Sequence, residues 1–359
     1  MKITYHLLDE AKRGSLPQND TLPFGALRTD HMFVAEYKNR EWQDARIVPY
    51  GPFELMPGAV VLHYGQCIFE GAKAFLHPDG EIYTFRTDQN ISRFNHSAEI
   101  LCMPEMPEDL FREGMTRLID VERKWCPTIP ESSLYIRPFM FGTQDTLGVK
   151  SSNSYIFCMM LSPSGPYYPG GFSKPVKLLL TQKFHRAVSG GTGTAKCGGN
   201  YASSLRAADY AHSHGASQVL YLDASNQFIE EVGTMNHYHV LKDGTFIIPE
   251  FNDSILRSVT SMSVLELAQK GILKARTEHI RVDEFLNMVK SGEITEAGGL
   301  GTAAVVSPVG SYLLENGEEI TVGDGSIGKH SRALYEMYSN MQIGKAPAPE
   351  GWLAQVPQY

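Results

Sequence analysis

Apolar residues recur at helical spacing in five long stretches of this chain, whereas shorter stretches alternate or run continuously apolar, as strands do. The predicted helices are 88–101, 108–125, 203–211, 258–270 and 326–341. The predicted strands are 32–37, 82–85, 133–141, 154–161, 175–180, 218–223, 228–232, the strand that contains 237–239, and 305–306. The strand at 154–161 is apolar on both faces, which is typical of a sheet centre. The pattern predicts an α/β chain whose first half is an α+β domain.

The clearest break in this pattern is the segment 162–174, which contains Pro163-Ser164-Gly165-Pro166 and then Pro169-Gly170-Gly171. Such a concentration of proline and glycine is typical of linkers. We therefore predict a smaller N-terminal domain at 1–162, a linker loop at 163–175 and a larger C-terminal domain at 176–359.

The composition is that of a globular enzyme, since the 359 residues are 42% hydrophobic and 20% charged. The formal net charge of −8 gives no electrostatic reason to expect nucleic acid or an anionic membrane as a partner. The five cysteines are widely spaced without any Cys-x-x-Cys, which argues against a disulfide framework or a zinc module. No stretch reaches the ~18 apolar residues of a membrane span. These features lead us to expect a cytoplasmic protein without a metal.

A glycine-dense run, Gly190-Gly191-Thr192-Gly193-Thr194-Ala195-Lys196-Cys197-Gly198-Gly199-Asn200-Tyr201, surrounds a single lysine. Its glycines allow the main chain to adopt positive φ and to approach a bound group closely. A lysine held in such a pocket is partly desolvated, which makes its amine a better nucleophile toward an aldehyde. The same composition is also typical of a surface loop with a solvated lysine.

The spacing around Lys196 excludes two nucleotide-binding motifs. A P-loop requires glycine before the lysine and serine or threonine after it, whereas Ala195 and Cys197 stand there. A dinucleotide fingerprint that starts at Gly191 and Gly193 would require glycine at the position of Lys196. Cys197 is a candidate nucleophile by residue type, but we favour the interpretation of a small buried thiol.

Ionisable residues outside this run are further candidates for a site. Arg93 lies beside the apolar face of the helix 88–101, where it either reaches a pocket edge or stays a hydrated surface residue. Arg86, which is close in the sequence, is the alternative candidate for the same role if the register of Arg93 is wrong. Of the adjacent Glu230 and Glu231, alternation along the strand should place one inward.

The helix at 258–270 begins with hydroxyl residues, and Ser258 is its predicted N-cap. The amides of Val259 and Thr260 would there form an anion site at the positive end of the helix dipole. His237 and His239 share one face of a strand, but two ligands without a nearby third are a weak case for a metal.

Several short sequence motifs follow one another along most of the chain. They are Phe24-Gly25, Asp30-His31-Met32, Leu62-His63-Tyr64-Gly65, Phe69-Glu70-Gly71-Ala72-Lys73-Ala74-Phe75, Ser133-Leu134-Tyr135-Ile136-Arg137-Pro138, Tyr167-Tyr168-Pro169-Gly170-Gly171, Ala195 to Tyr201, Glu231-Val232-Gly233-Thr234-Met235-Asn236 and Gly301-Thr302-Ala303. In these motifs the chain resembles the branched-chain amino acid aminotransferases, which are fold-type IV pyridoxal-phosphate enzymes.

This resemblance implies a two-domain architecture in which the larger C-terminal domain, a mixed sheet or barrel, binds pyridoxal 5'-phosphate. Lys196 would form the Schiff base with the cofactor, and Tyr201 would hydrogen-bond its phenolate. Glu231 would pair with the pyridine nitrogen and keep it protonated. The residues that would hold the phosphate are Arg93, Val259, Thr260 and Thr302.

The resemblance further implies an enzyme that transfers the amino group of leucine, isoleucine or valine to 2-oxoglutarate, and a homodimer. The implied substrate pocket consists of Phe24, Tyr64, Tyr135, Arg137, Tyr167, Thr302 and Ala303. Another fold-type IV activity, that of a D-amino-acid aminotransferase or an aminodeoxychorismate lyase, is the nearest alternative, and a cofactor-free binding protein is a third. The motif Glu231 to Asn236 favours the branched-chain activity.

The chain departs from the family before and within the helix 258–270. Leu256-Arg257-Ser258 replaces the usual Leu-Pro-Gly, and Ser261 replaces the usual arginine. Both changes affect the expected phosphate site, where Arg257 would add or replace a contact. Ala304 and Ser307 stand where some members carry a cysteine pair, so we expect no redox switch at that place.

Overall fold

The structure is a computed structural model that describes residues 1–17, 22–166, 172 and 174–359. The chain forms two compact units. The first comprises the N-terminal part of the chain together with Ala195–Gly199 and Asn340–Tyr359, and the second runs to Thr194 and continues as Asn200–Ser339. The predicted ranges 1–162, 163–175 and 176–359 are continuous, whereas the first unit also takes in the segments 195–199 and 340–359 from later in the chain. The domain boundaries stay a prediction.

A nine-stranded sheet forms the first unit. Its strands are β1 (Thr4–Tyr5), β2 (His31–Lys38), β3 (Glu41–Pro49), β4 (Cys67–Phe69), β5 (Ala72–Leu76), β6 (Ile82–Phe85), β7 (Ser133–Gly142), β8 (Tyr155–Ser164) and β18 (Leu353–Gln355). They are arranged in the order β1-β3-β2-β8-β7-β5-β6-β18, with β4 paired to β7. The strands predicted for this unit are all present, and β8 takes the first two residues of the predicted linker.

The first unit packs its helices against this sheet. They are α1 (Val60–Tyr64), α2 (Thr87–Ile100) and α3 (Glu108–Val121), with 3₁₀ turns at Glu10–Lys12 and Arg123–Trp125. Three buried rings meet between them: Phe94 of α2, Phe111 of α3 and Phe157 of β8 lie with centroids 5.2–5.4 Å apart. Burying one such ring stabilises the fold by about 1.5–3 kcal/mol.

The second unit contains a closed barrel of six strands. The strands of this unit are β9 (Val176–Leu180), β10 (Gln218–Leu222), β11 (Ile229–Val232), β12 (Met235–Leu241), β13 (Phe246–Pro249), β14 (Ala275–Glu278), β15 (Ile294–Gly301), β16 (Val305–Leu314) and β17 (Glu319–Thr321). The barrel has the order β11-β10-β9-β16-β15-β12 and closes through the pairing of β11 with β12. The three strands outside the ring, β13, β14 and β17, extend it at its edges.

Four helices accompany the barrel: α4 (Gly198–Ser213), α5 (Val259–Gln269), α6 (Val282–Lys290) and α7 (Lys329–Gln342). Helix α4 begins at Gly198, before the predicted start at 203. The prediction was too late because the first two residues of the helix are glycines, which have low helix propensity. Helix α6 was not predicted, although it buries Phe285 and Val289 at helical spacing. In the part of the chain that the structure describes, no helix has both the length and the apolar character that crossing a bilayer requires.

Candidate active site

The main chain of Lys196 is held in the first unit against strand β4. Its N–H donates to Ser97 Oγ at 2.9 Å, and its carbonyl accepts from the N–H of Phe69 at 2.9 Å. Cys197 forms a bridge with Ile68, and Ala195 and Cys197 are both buried. The lysine therefore lies on an ordered segment, and the alternative of a loose surface loop is wrong.

The side chain of Lys196 lies over an aromatic ring, with Nζ 4.8 Å from the centroid of Phe69. Alternation explains this direction, because the neighbours Ala195 and Cys197 enter the hydrophobic core and Lys196 points the other way. Phe69 stands in one of the sequence motifs but was not predicted as a site residue. Its strand position opposite Lys196 could not be inferred from residues so far apart in the chain.

Next to this lysine, a buried ion pair joins Glu70 to Arg93. Arg93 Nε donates to Oε1 at 2.6 Å and Nη2 donates to Oε2 at 2.9 Å, while Asn90 Nδ2 also donates to Oε2 at 2.9 Å. Burial by itself would raise the pKa of Glu70, but Arg93, with a smaller contribution from Lys196, holds it below its usual value. Arg93 is only 10% exposed, so the alternative of a hydrated surface arginine is wrong.

The predicted alternative, Arg86, has a different role. It is buried at the N-cap of α2 with a left-handed backbone of φ 54°. Its guanidinium stacks 4.4 Å above the ring of Trp352, which is a cation–π contact. Arg86 therefore fastens the C-terminal segment to the first unit.

Three residues of the predicted substrate pocket come together on the same face of the first sheet. The rings of Phe24 and Tyr135 are 5.0 Å apart, and Arg137 Nη2 donates to the Tyr135 hydroxyl at 3.1 Å. Arg137 also lies 5.0 Å from the centroid of the Phe69 ring, the ring that Lys196 contacts. The residues that alternate with Tyr135 and Arg137 along β7 fill the core behind them.

A glycine is required beside this group. A Cβ atom on Gly71 would overlap the Tyr135 hydroxyl oxygen, far inside van der Waals contact. The Glu70-Gly71 motif is therefore needed for two reasons: Glu70 forms the ion pair, and only glycine at position 71 leaves room for the Tyr135 hydroxyl.

The second unit has its own pocket beside the barrel. Its lining residues are Arg186, Asn200, Tyr201, Ser204, Glu231, Gly233, Thr234 and Leu256. This pocket brings together two of the predicted cofactor residues, Tyr201 and Glu231. Arg186 was not among the predicted site residues.

The carboxylate of Glu231 is buried in this pocket. One oxygen accepts from Asn236 Nδ2 at 2.6 Å, and the other forms an ion pair with Arg186 Nε. Burial raises the pKa of Glu231 to about 7, even though Arg186 and Asn236 both act to lower it. Its Oε2 atom accepts no well-aligned hydrogen bond from the residues that the structure describes.

Glu230 is buried as well, although alternation was expected to place only one of the two glutamates inward. Its Oε1 accepts hydrogen bonds from Asn252 Nδ2 at 3.3 Å and from the Ser254 hydroxyl. Alternation does put the two side chains on opposite faces, but the loop 252–254 covers the second face.

The start of α5 has the predicted cap. Ser258 has extended backbone angles and its hydroxyl accepts from the N–H of Ser261 at 3.4 Å. Asn236 connects this turn to Glu231, because it donates to the carbonyl of Leu256 at 2.8 Å and accepts from the N–H of Ser258 at 3.2 Å. The Arg257-Ser258 departure thus keeps a regular helix N-terminus, with the Arg257 guanidinium 6.0 Å from the Phe251 ring.

The remaining predicted positions are more dispersed. Thr302 and Ala303 lie in the tight turn between β15 and β16. Tyr64 is 40% exposed, and its hydroxyl donates to the carbonyl of Leu147. Tyr167 lies outside the described residues.

The two histidines of β12 are packed into the barrel. His237 Nε2 lies 3.1 Å from the Tyr312 hydroxyl, the two imidazoles are 5.7 Å apart, and both pack on Phe285. The described part of the chain contains no group of three His, Cys, Asp or Glu residues that would bind a metal ion.

Comparison with known proteins gives consistent matches. The model of the amino-transferase class IV family matches residues 67–312. The chain is 44% identical to branched-chain-amino-acid transaminase 1 of Bacillus subtilis, over 95% of this chain and 96% of that protein, and 42% identical to a branched-chain-amino-acid aminotransferase of Mycolicibacterium smegmatis, over 93% and 92%. A structure of the T.th. branched-chain amino acid aminotransferase complexed with N-(5'-phosphopyridoxyl)-L-glutamate is 25% identical, with a TM-score of 0.72 over 90% of this chain and 98% of that one.

The fold and the two groups of residues define a fold-type IV enzyme that uses pyridoxal phosphate. The chain belongs to the class IV aminotransferases. The described residues fit this cofactor, because the Glu231 oxygen without a well-aligned hydrogen bond is a suitable partner for a protonated ring nitrogen. The capped N-terminus of α5 likewise offers amides to a phosphate.

Proposed function

We propose that this protein transfers amino groups between L-branched-chain amino acids (leucine, isoleucine and valine) and 2-oxoglutarate, giving branched 2-oxo acids and L-glutamate. The observation that carries the proposal is the 44% identity to a protein named as a branched-chain transaminase, over nearly the whole of both chains. The ordered lysine segment and the buried Glu231 support it, since this chemistry requires a fixed amine and a ring partner.

In this proposal Lys196 is the catalytic residue. Pyridoxal phosphate, when bound, supplies an aldehyde that amines attack and a ring that accepts electrons. Lys196 Nζ would be the nucleophile toward that aldehyde. Once the Lys196 amine is free, it would carry the proton to and from the substrate Cα. The hydrogen bonds at both sides of its peptide group limit the positions that Nζ reaches.

The other assignments are proposals of the same kind. Glu231 binds the protonated ring nitrogen and Tyr201 donates to the phenolate. Arg93, Val259, Thr260 and Thr302 bind the phosphate, and Glu70 holds Arg93 in a fixed orientation. The bidentate geometry suits this role, because it fixes the plane and the direction of the Arg93 guanidinium.

The proposed substrate pocket consists of Phe24, Tyr64, Tyr135, Arg137, Tyr167, Thr302 and Ala303. The contacts among Phe24, Tyr135 and Arg137 support it, because two aromatic rings offer apolar walls to a branched side chain. Arg137 would supply the polar part of this pocket. The amides of Thr302 and Ala303, which lie in a tight turn, would bind the substrate carboxylate.

We also propose that the enzyme works in the cytoplasm as a homodimer. An exposed apolar edge of the first unit supports the dimer: Met56, Leu62, Leu147 and Val149 are 59–83% exposed. Backbone hydrogen bonds from Thr146 to Gly58 and from Val60 to Gln144 hold the two segments of this edge together. A second copy of the chain would cover this surface. Light scattering should then give twice the mass of one chain, and the variant L147E/V149E should give the mass of one chain.

The experiment that tests the function is a substrate panel with purified protein and added cofactor. Leucine, isoleucine, valine and D-alanine are each assayed for 2-oxoglutarate-dependent formation of glutamate. Turnover of the three L-amino acids and none of D-alanine is expected, whereas D-alanine turnover would favour the D-amino-acid activity. Protein that stays colourless with pyridoxal phosphate would contradict any cofactor-dependent function.

The lysine is tested separately. Borohydride reduction followed by peptide mass spectrometry should place the phosphopyridoxyl group on Lys196. Lys196→Ala should lose at least about 10³-fold in kcat, since it removes both nucleophile and proton carrier. Near-normal turnover in this variant would refute the assignment.

A further inference from the structure

Arg186 forms the centre of a buried polar network in the second unit. Its side chain is 8% exposed and lies against the Glu231 carboxylate, which is 4% exposed. Arg186 Nη2 donates to the carbonyl oxygen of Gly193 at 2.9 Å and also to that of Ser254. One guanidinium thus connects the glycine-dense run, the loop before α5 and strand β11.

We propose that Arg186 is a positioning residue that keeps Glu231 ionised, so that the proton shared by Glu231 and the cofactor's ring nitrogen stays on the nitrogen. This inference rests on the proposed function, because it takes Glu231 as the partner of that nitrogen. Arg186 itself touches Glu231 through Nε and acts on the ring only through that carboxylate.

Arg186 would matter because a single proton can lie either on Glu231 or on the ring nitrogen. A carboxyl group facing a pyridine nitrogen shares one proton with it, either as a neutral pair or as carboxylate and pyridinium. In a buried site the neutral pair is favoured, because separated charges lose their hydration there. A guanidinium that contacts the carboxyl group stabilises only its ionised form, so the proton moves from the Glu231 carboxyl group to the nitrogen and none is gained or lost.

The burial of Glu231 shows that it needs this help. Its pKa lies at about 7 with Arg186 already in place, because desolvation is the largest influence on it. The nearby Glu230 carboxylate raises this pKa further. Without the guanidinium, the carboxyl group would hold its proton at neutral pH.

Arginine suits the position better than lysine. The guanidinium contacts a carboxylate and two carbonyl oxygens in different directions, which needs several donors in one rigid plane. The two carbonyl contacts hold the charge in place beside Glu231. An ammonium group would offer the charge but not the same set of directions.

The test is the ¹⁵N NMR shift of the ring nitrogen of labelled pyridoxal phosphate bound to the full-length enzyme. In the wild type the shift should be that of a pyridinium, and in Arg186→Met it should move toward that of a neutral pyridine. We expect kcat to fall by about tenfold or more at the same time. The matched control is Arg206→Met, which removes an exposed arginine of α4 and should change neither quantity.

A double variant separates this role from a general effect on folding. If Arg186 acts through Glu231, then R186M should lower kcat much less in an E231Q background than in the wild type. Equal losses in both backgrounds, or a pyridinium shift retained in R186M, would overturn the inference. Should R186M not fold, R186Q provides the same NMR measurement, since glutamine is neutral but still donates to one carbonyl.

The outcomes also distinguish this inference from the proposed function. Wild-type protein that binds no pyridoxal phosphate would contradict the function and with it the role of Arg186. Wild-type protein that transaminates, together with an unchanged pyridinium shift in R186M, would contradict only the role of Arg186.

Discussion

Arg93 binds the carboxylate of Glu70 with one edge of its guanidinium: Nε donates to Oε1 at 2.6 Å and Nη2 donates to Oε2 at 2.9 Å. Both side chains are nearly removed from solvent, and Glu70 is fully buried. A pair of this kind gives little net stability relative to an apolar pair, but the loss of the carboxylate is costly because the buried guanidinium then lacks its opposite charge. The pair therefore orients Arg93 and makes Glu70 indispensable to the first unit.

Replacing Glu70 by Gln should lower the free energy of unfolding by about 3–5 kcal/mol. The lowered pKa of Glu70 means that its contribution is present above the usual glutamate pKa and is lost as pH falls through the lower folded-state value. Urea unfolding at neutral pH measures the loss. The control is Glu113→Gln, which breaks the partly exposed pair with Arg117 and should cost at most about 0.5 kcal/mol. Equal costs for the two variants would contradict the role of burial at Glu70.

The buried imidazole of His239 should make the protein sensitive to acid. Burial lowers the pKa of His239 to about 3, so between that value and the usual 6.5 the unfolded chain binds a proton that the folded chain does not. Stability is then full above about pH 6.5 and declines as pH falls. In His239→Leu the decline between pH 6 and 4 should be shallower by about 1.4 kcal/mol per pH unit.

Equilibrium unfolding at several pH values measures this slope. His6→Gln is the control, because His6 is exposed and its removal should leave the slope as in the wild type. A His239→Leu protein with the wild-type slope would show that another group controls the acid response. His237, whose pKa burial also lowers far below its usual value, would be the next variant to test.

Gly71→Ala should disturb the pocket residues on the first sheet. The new methyl group would overlap the Tyr135 hydroxyl and force it away from Arg137. We expect a loss of about 1–3 kcal/mol in stability and a higher KM for both substrates. Gly51→Ala, whose methyl group has only the Pro49 carbonyl at 3.8 Å, should leave KM unchanged, and an unchanged KM in Gly71→Ala would argue against this pocket.

Ser258→Ala tests the departure from the family at the start of α5. The variant removes the N-cap acceptor for the Ser261 amide and should cost about 1 kcal/mol of stability. It should also weaken binding of pyridoxal phosphate, since the first turn would hold its amides less firmly. Titration of the apoenzyme with cofactor measures this; Ser213→Ala, at the C-terminal end of α4, is the control and should bind cofactor as the wild type does.

The longer helices and the most apolar strands were predictable because they depend on local patterns. The strands at 133–141 and 154–161 appear as β7 and β8, and the helix at 258–270 appears as α5 with its serine cap. Helix α4 was placed too late, since its first turn begins with glycines, and α6 was missed. Local propensity does not report a turn of helix that only its surroundings stabilise.

The sequence by itself determined the family and the longer helices and apolar strands, because these depend on residue identity and on neighbours a few positions apart. The tertiary structure decided which charges meet: Glu70 with Arg93, Arg186 with Glu231, and Glu230 with Asn252 and Ser254. Glu70 and Arg93 are 23 positions apart in the chain, and Glu230 and Asn252 are 22 apart. Burial and hydrogen bonding depend on the whole surroundings of a group, so no single segment of the chain specifies them.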